Sequence, residues 1–217
     1  MHQNAKEPAL SPRGHLAREW DLFQSVEAGT AGPLVSIWQA AQPLVVVGRS
    51  SRIADDVFED ACHADRVEVL RRQSGGGSVV LGPGCVNYAV AVSIVSHPDL
   101  IDVAASFRLI LGRIVEALAL PGVSIAGDTD LALDGRKVSG NAQRRGRHAL
   151  LHHGTVLHAF DSALAGRYLK EPARQPAYRA GRGHADFIGN LPLSEAATMA
   201  RLRAGLAGVG VRTSSAG

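Results

Sequence analysis

The apolar positions fall into short runs and alternations at some stretches and at helical spacing at others. Residues 34–38 and 44–47 have the first pattern and predict two strands, joined as a meander across a polar turn at 41–43. Spacing over 54–64 fits a helix. Residues 67–70 then form a brief strand that delivers the chain into Arg71, Arg72, Gln73, Ser74 and three glycines. A valine-rich alternation over 85–95 predicts a strand, and 100–120 repeats apolar residues as a helix does, behind a cap expected at Asp99. That helix should lie on a sheet. Residues 123–125, 131–133 and 149–157 read as further strands, with tight turns at 127–130 and 134–135.

Beyond Asp161 come a short helical stretch, a proline- and arginine-rich segment over 171–183, and an alanine-rich helix near 194–206. Strands interrupted by a few helices without regular alternation imply an α+β fold with a mostly antiparallel or mixed sheet flanked by helices. The expected organisation is one catalytic domain over 15–207, with disordered residues 1–14 before it and a frayed 208–217 after it.

Composition narrows the class. The 46% hydrophobic and 20% charged content belongs to an ordinary globular chain and excludes disordered or collagen-like polymers. The formal charge is only +3, yet Arg136, Lys137, Arg144, Arg145 and Arg147 crowd one stretch and Arg174, Arg179 and Arg182 another. Such clusters suit a local anionic ligand. With 5% aromatics the chain lacks the stacking surface of a nucleic-acid binder. Two cysteines provide neither a disulfide framework nor a paired metal motif, so a reducing, cytoplasmic setting is expected. The polar start is neither a signal peptide nor an anchor, and no segment approaches the roughly 20 apolar residues needed to span a bilayer.

Gly75, Gly76 and Gly77 follow a strand, where glycine costs backbone entropy, so the run suggests positive φ or close approach to a ligand. Backbone N–H groups there can hold an anion, with Arg71 and Arg72 as flanking donors. Neither the P-loop nor the dinucleotide fingerprint is present. A flexible hairpin tip is the plain alternative, which the flanking arginines disfavour.

Lys137 sits where the turn at Asp134 and Gly135 re-enters a strand, and Ser139, Gly140 and Asn141 after it leave room for a ligand. Strand neighbours point to opposite faces, so only one of His152 and His153 can face a site there, and His153 is the choice. No helical His-Glu-x-x-His pattern or cysteine pair accompanies them, which argues against zinc.

Four motifs now stand in order: R-R-Q-S-G-G-G over 71–77, N-Y at Asn87 and Tyr88, D-G-R-K-V-S-G-N-A-Q over 134–143, and H-H-G-T over 152–155. Together they resemble the lipoate-protein ligase family across roughly residues 38–193. The resemblance implies the α+β catalytic domain shared with biotin-protein ligases and class II aminoacyl-tRNA synthetases, here without the C-terminal accessory domain of many ligases. It implies activation of lipoate by ATP and Mg²⁺ to lipoyl-AMP, then transfer to a lysine of a carrier, with no permanently bound cofactor. The carrier would be a lipoyl domain of the glycine-cleavage H-protein or dehydrogenase E2 type, met by a monomeric enzyme, with a separate accessory polypeptide as a possible requirement.

In that scheme Lys137 is the catalytic cation, contacting both the carboxyl oxygen and the α-phosphate. Arg71, Arg72, Ser74 and Gly75–Gly77 line the acyl and adenylate tunnel with Asn87, Ser139, Gly140, His153, Gly154 and Thr155. Asp130 and Asn141 position Lys137, the ribose or Mg²⁺, with Asp130 as the metal candidate. His153 either contacts substrate or fixes its strand. The basic edge over 144–147 is the expected carrier-docking surface.

Several positions depart from the family pattern. Leu81 stands where relatives often carry histidine, Gly82, Pro83 and Gly84 resemble the octanoyltransferase branch, and Asp128 and Thr129 stand where ligases commonly have arginine and asparagine. The rival chemistry is therefore acyl transfer through a cysteine thioester, for which Cys62 and Cys85 are available. A non-catalytic binder of a lipoylated carrier or a nucleotide is the reading from another class.

Overall fold

A computed structural model describes residues 10–209. Its first element lies partly in the stretch expected to be disordered. Helix α1 (Pro12–Glu27) starts on the Ser11 side-chain cap with Pro12 at its first position, an arrangement pre-set for helix entry. Only Glu19, Phe23 and Val26 of α1 are buried, a stripe too narrow and too polar to stand out as helical periodicity.

Strands β1 (Leu34–Gln39) and β2 (Leu44–Val47) do form, but not as a meander. The helix expected over 54–64 is two short ones, α2 (Ile53–Asp56) and α3 (Glu59–Ala64), broken where Val57 turns extended and is buried. Strands β3 (Glu68–Arg71), β4 (Val79–Leu81) and β5 (Cys85–Ser93) follow. Helix α4 (Val103–Leu118) is capped by Asp102, whose carboxylate accepts from Ala105 N at 2.7 Å; Asp99 instead lies in a 3₁₀ turn. Strands β6 (Val123–Ala126), β7 (Asp130–Leu133), β8 (Arg136–Arg145) and β9 (Ala149–Leu157) come next. Helices α5 (Ala163–Tyr168), α6 (His184–Phe187) and α7 (Glu195–Ala207) complete the described chain.

A six-stranded antiparallel sheet runs β1-β5-β9-β8-β7-β6, and a smaller mixed sheet runs β3-β2-β4 with β2 and β3 parallel. β1 therefore pairs with β5, 50 residues on, while β2 centres the other sheet. This is an α+β architecture with a mixed small sheet and helices against the large one.

Strand β5, between β1 and β9, is buried on both faces. Val86, Tyr88, Val90 and Val92 join Ile110, Leu111 and Ile114 of α4, together with Leu202 and Leu206 of α7, in the main core. Ala89 and Ala91, on the opposite face, pack with Phe23 and Val26 of α1. Small residues there let α1 sit close to the sheet. Truncating one of the fully buried α4 side chains, such as Ile114→Ala, would cost about 2–5 kcal/mol. Between α1, the small sheet and that face of the large sheet the molecule holds its cavity. Among the described residues no helix is long and apolar enough to cross a membrane.

Candidate active site

The cavity has a volume of about 820 Å³, within the range of small-molecule sites. Of the residues that the ligase resemblance assigned to catalysis or to substrate and nucleotide binding, all but Arg71, Ser74 and Gly75 border it. Part of its floor is a row across three strands: Trp38 pairs with Asn87 and Asn87 with Thr155, a span of about 10 Å at ordinary strand spacing. The Nδ2 of Asn87 is buried without a partner among the described residues.

Lys137 borders this cavity together with Gly76 and Gly77, its side chain 30% exposed. Its ammonium lies 2.8 Å from Asp130 Oδ1, and Asp130 Oδ2 accepts from the Tyr178 hydroxyl at 2.8 Å. The lysine runs along its own strand and over Gly140, where an added Cβ would stand 2.9 Å from Lys137 Cε and 3.0 Å from Nζ. Glycine at 140 is thus what leaves the ammonium its place. Asn141 fixes the turn behind it, donating to Thr129 O at 2.8 Å and accepting from Tyr88. Its amide lies across Gly154, which explains a bare residue there, since a Cβ would sit 1.9 Å from Asn141 Oδ1.

The opposite wall is the glycine loop. Arg72 is buried, and its guanidinium holds the carbonyls of Gly75 at 2.6 Å and Gly77 at 2.8 Å while Nε donates to Ser74 Oγ at 3.0 Å. Burial lowers its pKa to about 10, still well above neutrality. Because each peptide is trans, pinning those two carbonyls turns the N–H groups of Gly76 and Ser78 away from the arginine. Gly76 adopts φ +87°, and its carbonyl rests on Gly48, where a Cβ would lie 2.0 Å away. Arg71 donates to the carbonyls of Gly48, Arg49 and Ser51, bracing the neighbouring turn. Arg72 is therefore not the free anion clamp the sequence suggested, and Arg71, which does not border the cavity, spends Nη1 on the turn. Both build the loop.

Strand alternation separates the two histidines as expected. His152 enters the core between Tyr88 and Phe107, where burial pushes its pKa down to about 3. His153 faces the cavity, with Nδ1 2.9 Å from Glu19 Oε2 and Nε2 2.5 Å from Ser74 Oγ. The sequence reading missed two partners at this site. Glu19 sits on the polar-looking α1, and Tyr178 in the proline- and arginine-rich segment.

That segment is largely self-fixing: Arg179 pairs with Glu171 and stacks over Phe187, while Arg182 donates to Gly135 O and Tyr178 O. Arg174 borders the cavity with its side chain exposed. Arg145, placed at the expected docking edge, instead turns inward onto Leu100 O and Ile101 O.

Neither cysteine borders the cavity. Cys85 is fully buried, which pushes its thiol up to about 12, and burial raises Cys62 as well. Among the described residues no group of three or more His, Cys, Asp or Glu could hold a metal, and both oxygens of Asp130 already serve Lys137 and Tyr178. Asp130 thus orients the lysine while each of its oxygens keeps a second lone pair, and a Mg²⁺ here would draw its other ligands from phosphate oxygens brought with the nucleotide.

Residues 11–203 match the family described as Lipoyl protein ligase A/B catalytic domain. The chain belongs to that family. It is 31% identical to lipoate-protein ligase LplJ of Bacillus subtilis over 57% of this chain and 36% of that one. It is 30% identical to lipoate-protein ligase A of Psychrobacter cryohalolentis over 76% of this chain and 46% of that one. Octanoyltransferase LipM of an Exiguobacterium species is 26% identical over 68% and 62%.

The chain thus spans less than half the length of the two ligases. Among solved structures, lipoate-protein ligase A bound with ATP has a TM-score of 0.72 at 22% identity, covering 88% of this chain and 78% of that one. A bi-partite lipoate protein ligase from Thermoplasma acidophilum, described with its E2 lipoyl domain, has a TM-score of 0.72 at 18% identity over 89% and 77%. These likenesses establish the fold.

Proposed function

We propose that this chain activates lipoate with ATP and passes the lipoyl group to a lysine of a lipoyl domain. The observation that carries the reading is a lysine ammonium and a bare glycine loop bordering one cavity that no cysteine lines. In the first half-reaction a lipoate carboxylate oxygen attacks the α-phosphorus of ATP, forming a C–O–P linkage and releasing pyrophosphate. Two anions must meet. The Lys137 ammonium stands at the cavity edge with one donor on Asp130, which leaves two N–H bonds for a carboxylate and a phosphate.

In the second half-reaction the carrier amine attacks the acyl carbon, forms an amide, loses a proton and expels AMP. The floor through Asn87 toward Trp38 would take the acyl chain, and the amides of the glycine loop would face the adenylate. Asp130, held from behind by Tyr178, fixes the direction of Lys137. Mg²⁺ would enter with the phosphates and neutralise them.

The neighbour described as bi-partite, with an E2 lipoyl domain, supports a lipoyl domain as acceptor and a separate polypeptide as helper in the transfer step. Incubating the protein with ATP, Mg²⁺, lipoate and a lipoyl domain, with and without cell extract, and weighing the domain by mass spectrometry tests this. A lipoyl mass increment is expected, undiminished in Cys85→Ala. Acylation that needs octanoyl-carrier protein instead of ATP, and that disappears in a folded Cys85→Ala, would replace the ligase reading with the thioester one.

A further inference from the structure

Helix α1 reaches the cavity through a side chain that the chemistry at Lys137 does not use. Glu19 is 3% exposed and shares its stripe with Phe23 and Val26, where an unpaired carboxylate would be costly. It is paired twice: Oε1 accepts from Trp38 Nε1 at 3.0 Å, and Oε2 lies 2.9 Å from His153 Nδ1. His153 Nε2 lies 2.5 Å from Ser74 Oγ, Ser74 Oγ accepts from Arg72 Nε at 3.0 Å, and Arg72 holds Gly75 O and Gly77 O. The run from α1 to the glycine loop is unbroken.

Its direction follows from what each group can do. Arg72 Nε only donates, so Ser74 accepts there and keeps one proton to give. The short Ser74–His153 contact is met by that proton when Nε2 is bare, the form that Glu19 favours by accepting a hydrogen from Nδ1. The imidazole is then neutral with its hydrogen on Nδ1, where the Glu19 carboxylate accepts it.

We infer that Glu19 is a positioning residue for the glycine loop. By holding His153 with its hydrogen on Nδ1 it leaves Nε2 to take the Ser74 proton, which fixes the hydroxyl with a lone pair toward Arg72, and Arg72 then keeps the Gly75 and Gly77 carbonyls turned toward itself. The loop amides stay turned the other way, ready for an anion. This rests on the adenylation reading only for the identity of that anion.

Nitrogen NMR of the ¹⁵N-histidine-labelled protein, with His153→Gln for assignment, reads the tautomer without activity or ligand. A hydrogen on Nδ1 and a bare Nε2 are expected at neutral pH, shifting in Glu19→Gln to a hydrogen on Nε2. A wild-type Nε2 hydrogen overturns the inference. In kinetics, Glu19→Gln should raise the KM for ATP about tenfold, as loss of one charge-assisted hydrogen bond would, with kcat within about threefold. A fall in kcat at unchanged KM overturns it. Glu19→Gln combined with Ser74→Ala should raise KM no further than the larger single change, since the two residues act along one chain without touching, and additive effects would contradict that. A wild type with the expected tautomer but no ATP turnover would count against adenylation alone.

Discussion

The two walls of the cavity carry positive charge and use it in opposite ways. On the glycine wall the Arg72 guanidinium is turned onto backbone carbonyls, with Arg71 Nη1 bracing the turn behind it, so the cations are scaffold and the exposed chemistry is main-chain amide. On the lysine wall a single ammonium rests on one carboxylate, a third exposed and set over a glycine that gives it room. A fixed wall and a reagent wall face each other. The same residue class, read from sequence, therefore predicts opposite behaviour depending on how many carbonyls the fold turns toward it.

The sharpest break between the walls should come from Lys137→Ala. It removes the reagent and leaves the glycine scaffold, so kcat should fall about 10²–10³-fold, with a stability loss of about 1–2 kcal/mol from Asp130 left on Tyr178 alone, as steady-state turnover and calorimetry would show. Arg72→Met should do the reverse. It strands the carbonyls of Gly75 and Gly77 and the Ser74 hydroxyl, costing about 2–4 kcal/mol in denaturant unfolding, with activity lost through the collapsed loop. Gly140→Ala pushes a methyl into the path of the lysine and should lower kcat about tenfold while leaving ATP affinity intact. Tyr178→Phe loosens Asp130 from behind, and a drop of about two- to fivefold in kcat is expected from one hydrogen bond.

Much of this was legible in the chain, and the losses have physical causes. Lys137, the glycine run and His153 stand out because turn chemistry, backbone freedom and strand alternation are local properties. Alternation even separates His153 from His152, which the core takes. Sheet order was not local. β1 and β2 are sequence neighbours, yet β1 pairs with β5 and β2 with β3 and β4. Glu19 escaped notice because a carboxylate in an apolar stripe looks like surface until its partners, 19 and 134 residues away, are in place. Tyr178 belongs to a segment with little periodicity, and only the fold brings it to Asp130.

The central claim is that Lys137 completes an adenylating site against the glycine loop. Rapid-quench trapping of the acid-soluble product, with ATP, Mg²⁺ and labelled lipoate but no carrier, tests it directly. The account predicts that wild type and Cys85→Ala accumulate lipoyl-AMP, while Lys137→Ala still binds ATP and forms none on the same timescale. Lipoyl-AMP formed by Lys137→Ala at the wild-type rate, or label covalently attached to the protein through Cys85, would contradict it.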